Sequence, residues 1–145
     1  MKIDNKQLYS SLRSRYRSAK VYLFDAEYTA TDRSVIDKAY SQFIWQMRLV
    51  GLTMWLANKL DCDKWAWLFK AYVTVRNALS KRSNALPVGI ICYHVGADKS
   101  KPHCINAYAH TDGEEFSIVE LEPQPKSGTK ELTAEERKTV WLAVF

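Results

Sequence analysis

The sequence predicts an α+β domain in which helices come first and an antiparallel sheet follows. Between residues 33 and 79, apolar side chains recur at helical spacing, whereas β-forming residues dominate after Pro87. Asp112 and Gly113 are typical of a two-residue hairpin turn. With 145 residues, 47% of them hydrophobic, the chain is most simply one domain, residues 1–145, with a packed core.

The first half is predicted to be helical. Residues 1–20 are polar and basic and form either a helix or a short arm, and residues 21–24 form a buried strand or a docking segment. Thr31 or Asp32 caps the first long helix, Gly51 ends it, and Asp61 caps the last. The helices are predicted over 33–48, 52–60 and 62–79, with apolar faces formed by Ile36, Tyr40, Phe43, Ile44 and Met47, and by Trp65, Leu68, Phe69, Tyr72 and Val73.

The second half is predicted to form a sheet with polar loops between its strands. The strands are predicted over 88–94, 103–110, 115–122 and 139–145. Thr133 and Glu136 are spaced to start a helical turn in the last loop.

The Asp-Gly turn predicts the register of the hairpin and the position of two chemically useful side chains. A turn centred on Asp112 and Gly113 sets His103 directly opposite Glu122, with Cβ atoms about 4.5–5.5 Å apart. Strict alternation then puts Phe116, Ile118, Glu120 and Glu122 on one face, which is expected to be buried only near the turn.

Cys62 supplies the third part of a candidate catalytic site. A thiol at a helix start has its thiolate stabilised by unpaired N–H groups, although the adjacent Asp61 and Asp63 oppose this effect. His103 is the candidate base and Glu122 the acid that orients it. Alone, Cys62 is better explained as a small buried hydrophobe, and the pairing of His103 with Glu122 favours the catalytic hypothesis.

Metal binding is the main chemical alternative. Cys92, His94, His103 and Cys104 carry zinc-ligand atoms, but Cys104 points away from His103, so a four-ligand zinc site is not expected. The nearby acids lack the order of a calcium-binding loop.

Composition limits the other classes of function that the protein can have. The net charge of +5 and the basic run containing Tyr16 suggest nucleic-acid binding, but a solvated helix face explains that run better. Three cysteines at unrelated spacings predict free thiols in a reducing compartment. No apolar run approaches the ~18 residues of a membrane span and no signal peptide is evident, so we expect a cytoplasmic protein.

Three motifs carry a resemblance to a known family. They are Asp-Cys-Asp-x-aromatic-Ala at 61–66, Lys-Pro-His-Cys-Ile-Asn-Ala at 101–107 and Glu-Pro-Gln at 122–124. Together, over residues 52–145, they resemble small papain-like domains of bacteriophage proteins and the C-terminal domain of a fungal agglutinin.

The resemblance implies a papain-like fold and a phage-encoded thiol hydrolase, a cysteine peptidase or amidase acting on a peptide or protein. Cys62 would be the nucleophile, His103 the base and Glu122 the orienting acid. Trp55 and Gln124 would support the oxyanion. No cofactor is required, although calcium near Asp61 and Asp63 is implied, and Lys64 departs from the phage pattern there. The lectin domain of the agglutinin is absent, so sugar binding is not implied.

Two other functions fit the same residues. One is a transglutaminase-like acyl transferase, which uses the same three side chains. The other is a non-catalytic phage accessory protein of the same fold that binds a host or virion partner in the host cytoplasm or virion. Nucleic acid and membrane partners are not expected.

Overall fold

The computed structural model describes residues 1–54, 61–80, 84–125 and 128–145. Within these residues the helices are α1 (Asn5–Arg15), α2 (Arg33–Leu49), α3 (Cys62–Ala78) and α4 (Ala134–Lys138). The strands are β1 (Lys2–Asp4), β2 (Lys20–Tyr22), β3 (Glu27–Thr29), β4 (Val88–His94), β5 (Pro102–Thr111), β6 (Phe116–Glu122), β7 (Gly128–Lys130) and β8 (Leu142–Val144). The fold is therefore α+β, as the change of period predicted.

The strands form two sheets. A six-stranded sheet has the order β2-β8-β4-β5-β6-β7, and only the β2–β8 pair is parallel. β1 and β3 form a separate antiparallel pair that the sequence pattern did not reveal. The sequence pattern also does not reveal β7, and β8 is shorter than the strand predicted over 139–145. Strands of three residues contain too few side chains to show alternation.

Helices cover both faces of the large sheet. Leu8 and Leu12 of α1, with Tyr16 just after it, pack with Ile105 and other residues on one face. On the opposite face α2 and α3 pack together through an aromatic cluster, in which Phe43 contacts Trp65 and Phe69 edge to face. This second face places the first turn of α3, which begins at Cys62, over β4 and β5.

Local signals explain the ends of these helices. Asp32 accepts a hydrogen bond from Ser34 N, and Thr133 and Glu136 form a reciprocal capping box, as predicted. Gly51 has a φ of +79°, the left-handed conformation that commonly ends a helix. The predicted helix over 52–60 is wrong for residues 52–54, which are not helical, and the rest of it lies outside the described residues.

Two predictions about the β5–β6 hairpin need correction. Asn106 pairs with Leu121 and Thr111 with Phe116, so the register is displaced by two residues and His103 is not directly opposite Glu122. The loop is longer than a two-residue turn because β6 begins only at Phe116. The face that carries Glu120 is also buried in the middle of β6, at Ile118 and Glu120, and not only near the turn, because α1 packs there.

Candidate functional site

Cys62, His103 and Glu122 meet at one end of the β4–β5–β6 sheet. Cys62 is the first residue of α3, His103 follows the first residue of β5, and Glu122 is the last residue of β6. A displacement of two residues preserves which face a side chain occupies, so His103 and Glu122 are diagonal neighbours on one face. His103 Nε2 lies 2.5 Å from Glu122 Oε2, and both side chains are largely buried.

The thiol of Cys62 lies next to the imidazole. The His103 side chain and the backbone N–H groups of Cys104 and Asp63 lie close enough to Cys62 to stabilise its thiolate. Since Glu122 engages Nε2 of the ring, Nδ1 remains for the sulfur. This is the order of partners that an oriented nucleophile and base require.

The electrostatics favour a charged pair. The hydrogen bond from His103 lowers the pKa of the Cys62 thiol, against the opposing effect of burial. Burial disfavours the imidazolium, but the hydrogen bonds and charges of Cys62 and Glu122 outweigh it and raise the pKa of His103 to about 9. These interactions therefore favour the thiolate of Cys62 and the imidazolium of His103 together.

Four more side chains support the imidazole and the carboxylate, and two of them contact these groups directly. Gln124 Nε2 donates to Glu122 Oε1 at 3.1 Å, and the Gln124 carbonyl accepts a hydrogen bond from Tyr40. The ring of Tyr93 packs edge to face on His103, with centroids 5.7 Å apart, and Lys130 bonds the Tyr93 hydroxyl. Nothing in the sequence pattern indicates that Tyr93 and Lys130 support the site.

Of the two residues predicted to support the oxyanion, the structure describes one. Gln124 lies at the site, where its side chain contacts Glu122. Trp55 lies outside the described residues. An oxyanion role for either residue stays a prediction.

The residues proposed for calcium do not form a convincing site. Asp61 is the N-cap residue of α3, as predicted, but its side chain makes no capping hydrogen bond. It pairs instead with Lys64 Nζ at 2.6 Å, and the same nitrogen lies 3.5 Å from Asp63. Among the residues that the structure describes, no group of three His, Cys, Asp or Glu side chains is arranged to hold a metal ion.

The prediction of three free thiols is wrong. Cys92 and Cys104 are directly paired across β4 and β5, with Cα atoms 4.2 Å apart, and form a disulfide. Cys62 is the free cysteine among the described residues. The sequence spacing concealed this pair because strand register, and not separation along the chain, brings the two residues together.

No known protein family and no curated protein matches the chain. Two solved structures that share the fold are of a fungal lectin. A structure titled as a complex of PSL1a with E64 has a TM-score of 0.77 at 20% identity, and covers 99% of this chain and 50% of that chain. The Polyporus squamosus lectin bound to the human-type influenza-binding epitope Neu5Acα2-6Galβ1-4GlcNAc has a TM-score of 0.71 at 23% identity, covering 99% and 49%.

These comparisons confirm the likeness to a fungal lectin and correct the functional prediction. The chain spans about half the length of these lectins. The predicted thiol hydrolase with a peptide or protein substrate is contradicted, because the neighbours are lectins and one is bound to a glycan. Among the described residues no helix is long and apolar enough to cross a membrane.

Proposed function

We propose that Cys62, His103 and Glu122 form a reactive-thiol site that binds covalently to a ligand with an electrophilic carbon. The observation that carries the proposal is the chain of contacts from Cys62 to His103 to Glu122, in which Nε2 and Oε2 are 2.5 Å apart. Cys62 is the nucleophile, His103 the proton carrier and Glu122 the carboxylate that orients it. The papain-like type of fold, with the thiol helix packed on an antiparallel sheet, belongs to the same proposal.

The covalent step uses groups that this chain supplies. The thiolate sulfur attacks the electrophilic carbon, so that a sulfur–carbon bond forms and the bond from that carbon to its leaving group breaks. The leaving group takes the electron pair. Where it departs as an alkoxide, as in the opening of an epoxide, the His103 imidazolium gives it a proton.

Two features of the site suit it to this step. The N–H groups of Cys104 and Asp63 lie close to the sulfur and stabilise its negative charge before any ligand arrives. The largely buried Glu122 keeps the imidazole in one orientation, so that little reorganisation is needed at the moment of reaction.

The test is alkylation of the folded, unreduced protein with iodoacetamide at neutral pH, with the labelled residue identified by mass spectrometry. Cys62 should carry the label, and His103→Ala should slow labelling about tenfold, since one pKa unit changes the thiolate fraction that much. Glu122→Gln should slow it less. His94→Ala, a histidine outside the site, is the control. Equal rates in the wild type and His103→Ala would contradict the proposal.

Glycan binding is a second candidate function, supported by the lectin neighbours and by exposed aromatic side chains. Trp45, Trp67 and Trp141 are 60%, 52% and 43% exposed. Indole faces exposed in this way offer apolar surface on which the C–H face of a sugar ring can pack, with a polar N–H at the edge.

The test is titration of this chain with Neu5Acα2-6Galβ1-4GlcNAc, the epitope of the lectin complex. Binding in the millimolar range or tighter that Trp45→Ala, Trp67→Ala or Trp141→Ala weakens would support this function. The control is Tyr9→Ala, at an exposed aromatic residue on α1. Absence of binding at millimolar glycan would exclude glycan binding by this chain.

A further inference from the structure

A basic cleft lies between the end of α1 and helix α4, distinct from the thiol site. It is lined by Arg15, Arg17, Ser18, Ala134, Arg137 and Lys138. Four of these six residues are cations, and the lining includes a hydroxyl but no carboxylate. Such a surface favours an anionic ligand.

A buried carboxylate preorganises the two arginines of the cleft. Glu120, which is 1% exposed, accepts two hydrogen bonds from Arg15, at 2.8 and 2.9 Å, and one from the Tyr16 hydroxyl at 2.7 Å. The Nε of Arg137 lies 4.0 Å from the same carboxylate. Because Glu120 holds these side chains in place, a ligand would not incur the entropy cost of ordering them.

The cleft also contains an unsatisfied donor. Arg137 Nε is buried and has no hydrogen-bond partner in the described part of the chain. A buried donor without a partner is uncommon and costs free energy. Arg15 uses Nε and Nη2 on Glu120, which leaves Nη1. Guanidinium groups with open N–H positions match the oxygens of a tetrahedral anion.

The competing carboxylates are exposed and weakly held. Arg137 pairs with Glu131, which is 85% exposed, and Lys138 pairs with Glu135, which is 68% exposed. Exposed pairs of this kind contribute little to stability, so an incoming anion can displace them. Arg17 forms no ion pair with any described residue. The buried Tyr16 is not available for stacking, which argues against nucleic-acid bases at this cleft.

From these contacts we infer that the cleft between α1 and α4 binds a tetrahedral oxyanion, either a free ion or a phosphate or sulfate group on a larger ligand. Arg15 and Arg137 are the fixed donors. Arg17 and Lys138 contact the anion from the exposed side of the cleft. None of these residues belongs to the thiol site, so the inference does not depend on the proposed function.

The test is calorimetric titration of the full chain with inorganic phosphate at low ionic strength. We expect millimolar or tighter binding that Arg17→Ala and Lys138→Ala each weaken about tenfold, the value of one good charged contact of 1.4 kcal/mol. Both side chains are exposed, so folding should be unaffected. Lys99→Ala, an exposed cation in the β4–β5 loop, is the control. Sulfate should bind comparably.

Three results would overturn the inference. The first is absence of phosphate binding. The second is equal weakening by Lys99→Ala, which would mean that net charge alone attracts the ion. The third is equal binding of acetate, which would mean that the cleft does not select a tetrahedral anion.

Discussion

At the scale of single residues, the charges of Cys62 and His103 depend on each other. Cys62 has a lowered pKa and His103 has a raised one, and each is the other's hydrogen-bond partner. Folding therefore favours loss of a proton from the thiol and gain of one by the ring. The two changes act in opposite directions on the pH dependence of stability.

We predict that removing the thiol exposes this opposition. In the wild type the free energy of unfolding should decline less steeply between pH 7 and 9, the range below the raised pKa of His103 of about 9, than in Cys62→Ser. In Cys62→Ser, Glu122 still raises the pKa of His103, with no compensating thiolate. The stabilisation from His103 is then complete below its ordinary pKa of 6.5 and declines as the pH rises through its folded value.

Urea unfolding of both proteins at several pH values measures this. The double variant Cys62→Ser/His103→Asn is the control. It lacks both titrating groups, so its free energy of unfolding should not change with pH over this range. A wild type that loses stability as steeply as Cys62→Ser would show that the two groups are not coupled.

Gln124 offers a second prediction at this scale. Its amide donates to Glu122 at 3.1 Å, so Gln124→Leu should loosen the carboxylate and slow alkylation of Cys62 by about two- to fivefold, a loss of one hydrogen bond of roughly 0.5–1 kcal/mol. Alkylation by iodoacetamide develops no oxyanion. A residue that acted only as an oxyanion donor would therefore leave this rate unchanged, so an unchanged rate would favour the oxyanion role.

At the scale of secondary structure, Gly89 sets the distance between β4 and the C-terminal end of the chain. A Cβ atom at Gly89 would lie 2.3 Å from Cδ2 of Phe145, and Phe145 is buried in the core. The ring therefore packs directly on the backbone of the strand. β4 is also the strand that Asn106 ties to α3, through hydrogen bonds to Gly89 O and Ala66 O.

Gly89→Ala should lower the free energy of unfolding by about 1–3 kcal/mol, the usual cost of overpacking a core. Chemical denaturation measures the change. In a Phe145→Leu background the same substitution should cost less, because the smaller side chain leaves room for the methyl group. An equal cost in both backgrounds would show that the ring does not cause the effect.

At the scale of the whole molecule, one covalent bond joins two neighbouring strands beneath the site. The Cys92–Cys104 disulfide packs with Ala66, one turn along α3 from Cys62. The backbone N–H of Cys104 also lies close to the Cys62 sulfur. The disulfide thus connects the sheet to the segment that carries the reactive thiol.

We predict that reducing this disulfide destabilises the protein by about 2–3 kcal/mol, as expected for a closed loop of this size. The measurement is urea unfolding of Cys62→Ser with and without reductant. Cys92→Ala/Cys104→Ala in the same background is the control, since reductant should not affect it. Coincident curves for Cys62→Ser would contradict the prediction.

The sequence by itself determined the local features: the caps at Asp32 and Thr133, the helical periods of α2 and α3, and the placement of Cys62 at a helix start. It also determined that His103 and Glu122 share a face, although not that they are diagonal neighbours and not a directly opposed pair. Side-chain alternation has a period of two residues, so a displacement of two leaves every side chain on its predicted face. That is why a wrong register still paired the right residues.

Only the tertiary structure decided the remaining features. Packing of α3 on the sheet brought Cys62 to His103, and pairing of β4 with β5 brought Cys92 to Cys104. Docking of α1 buried Glu120 and gave it Arg15 and Tyr16 as partners. These contacts join residues far apart in the chain, and local periodicity specifies which side of an element a residue occupies but not what packs against that side.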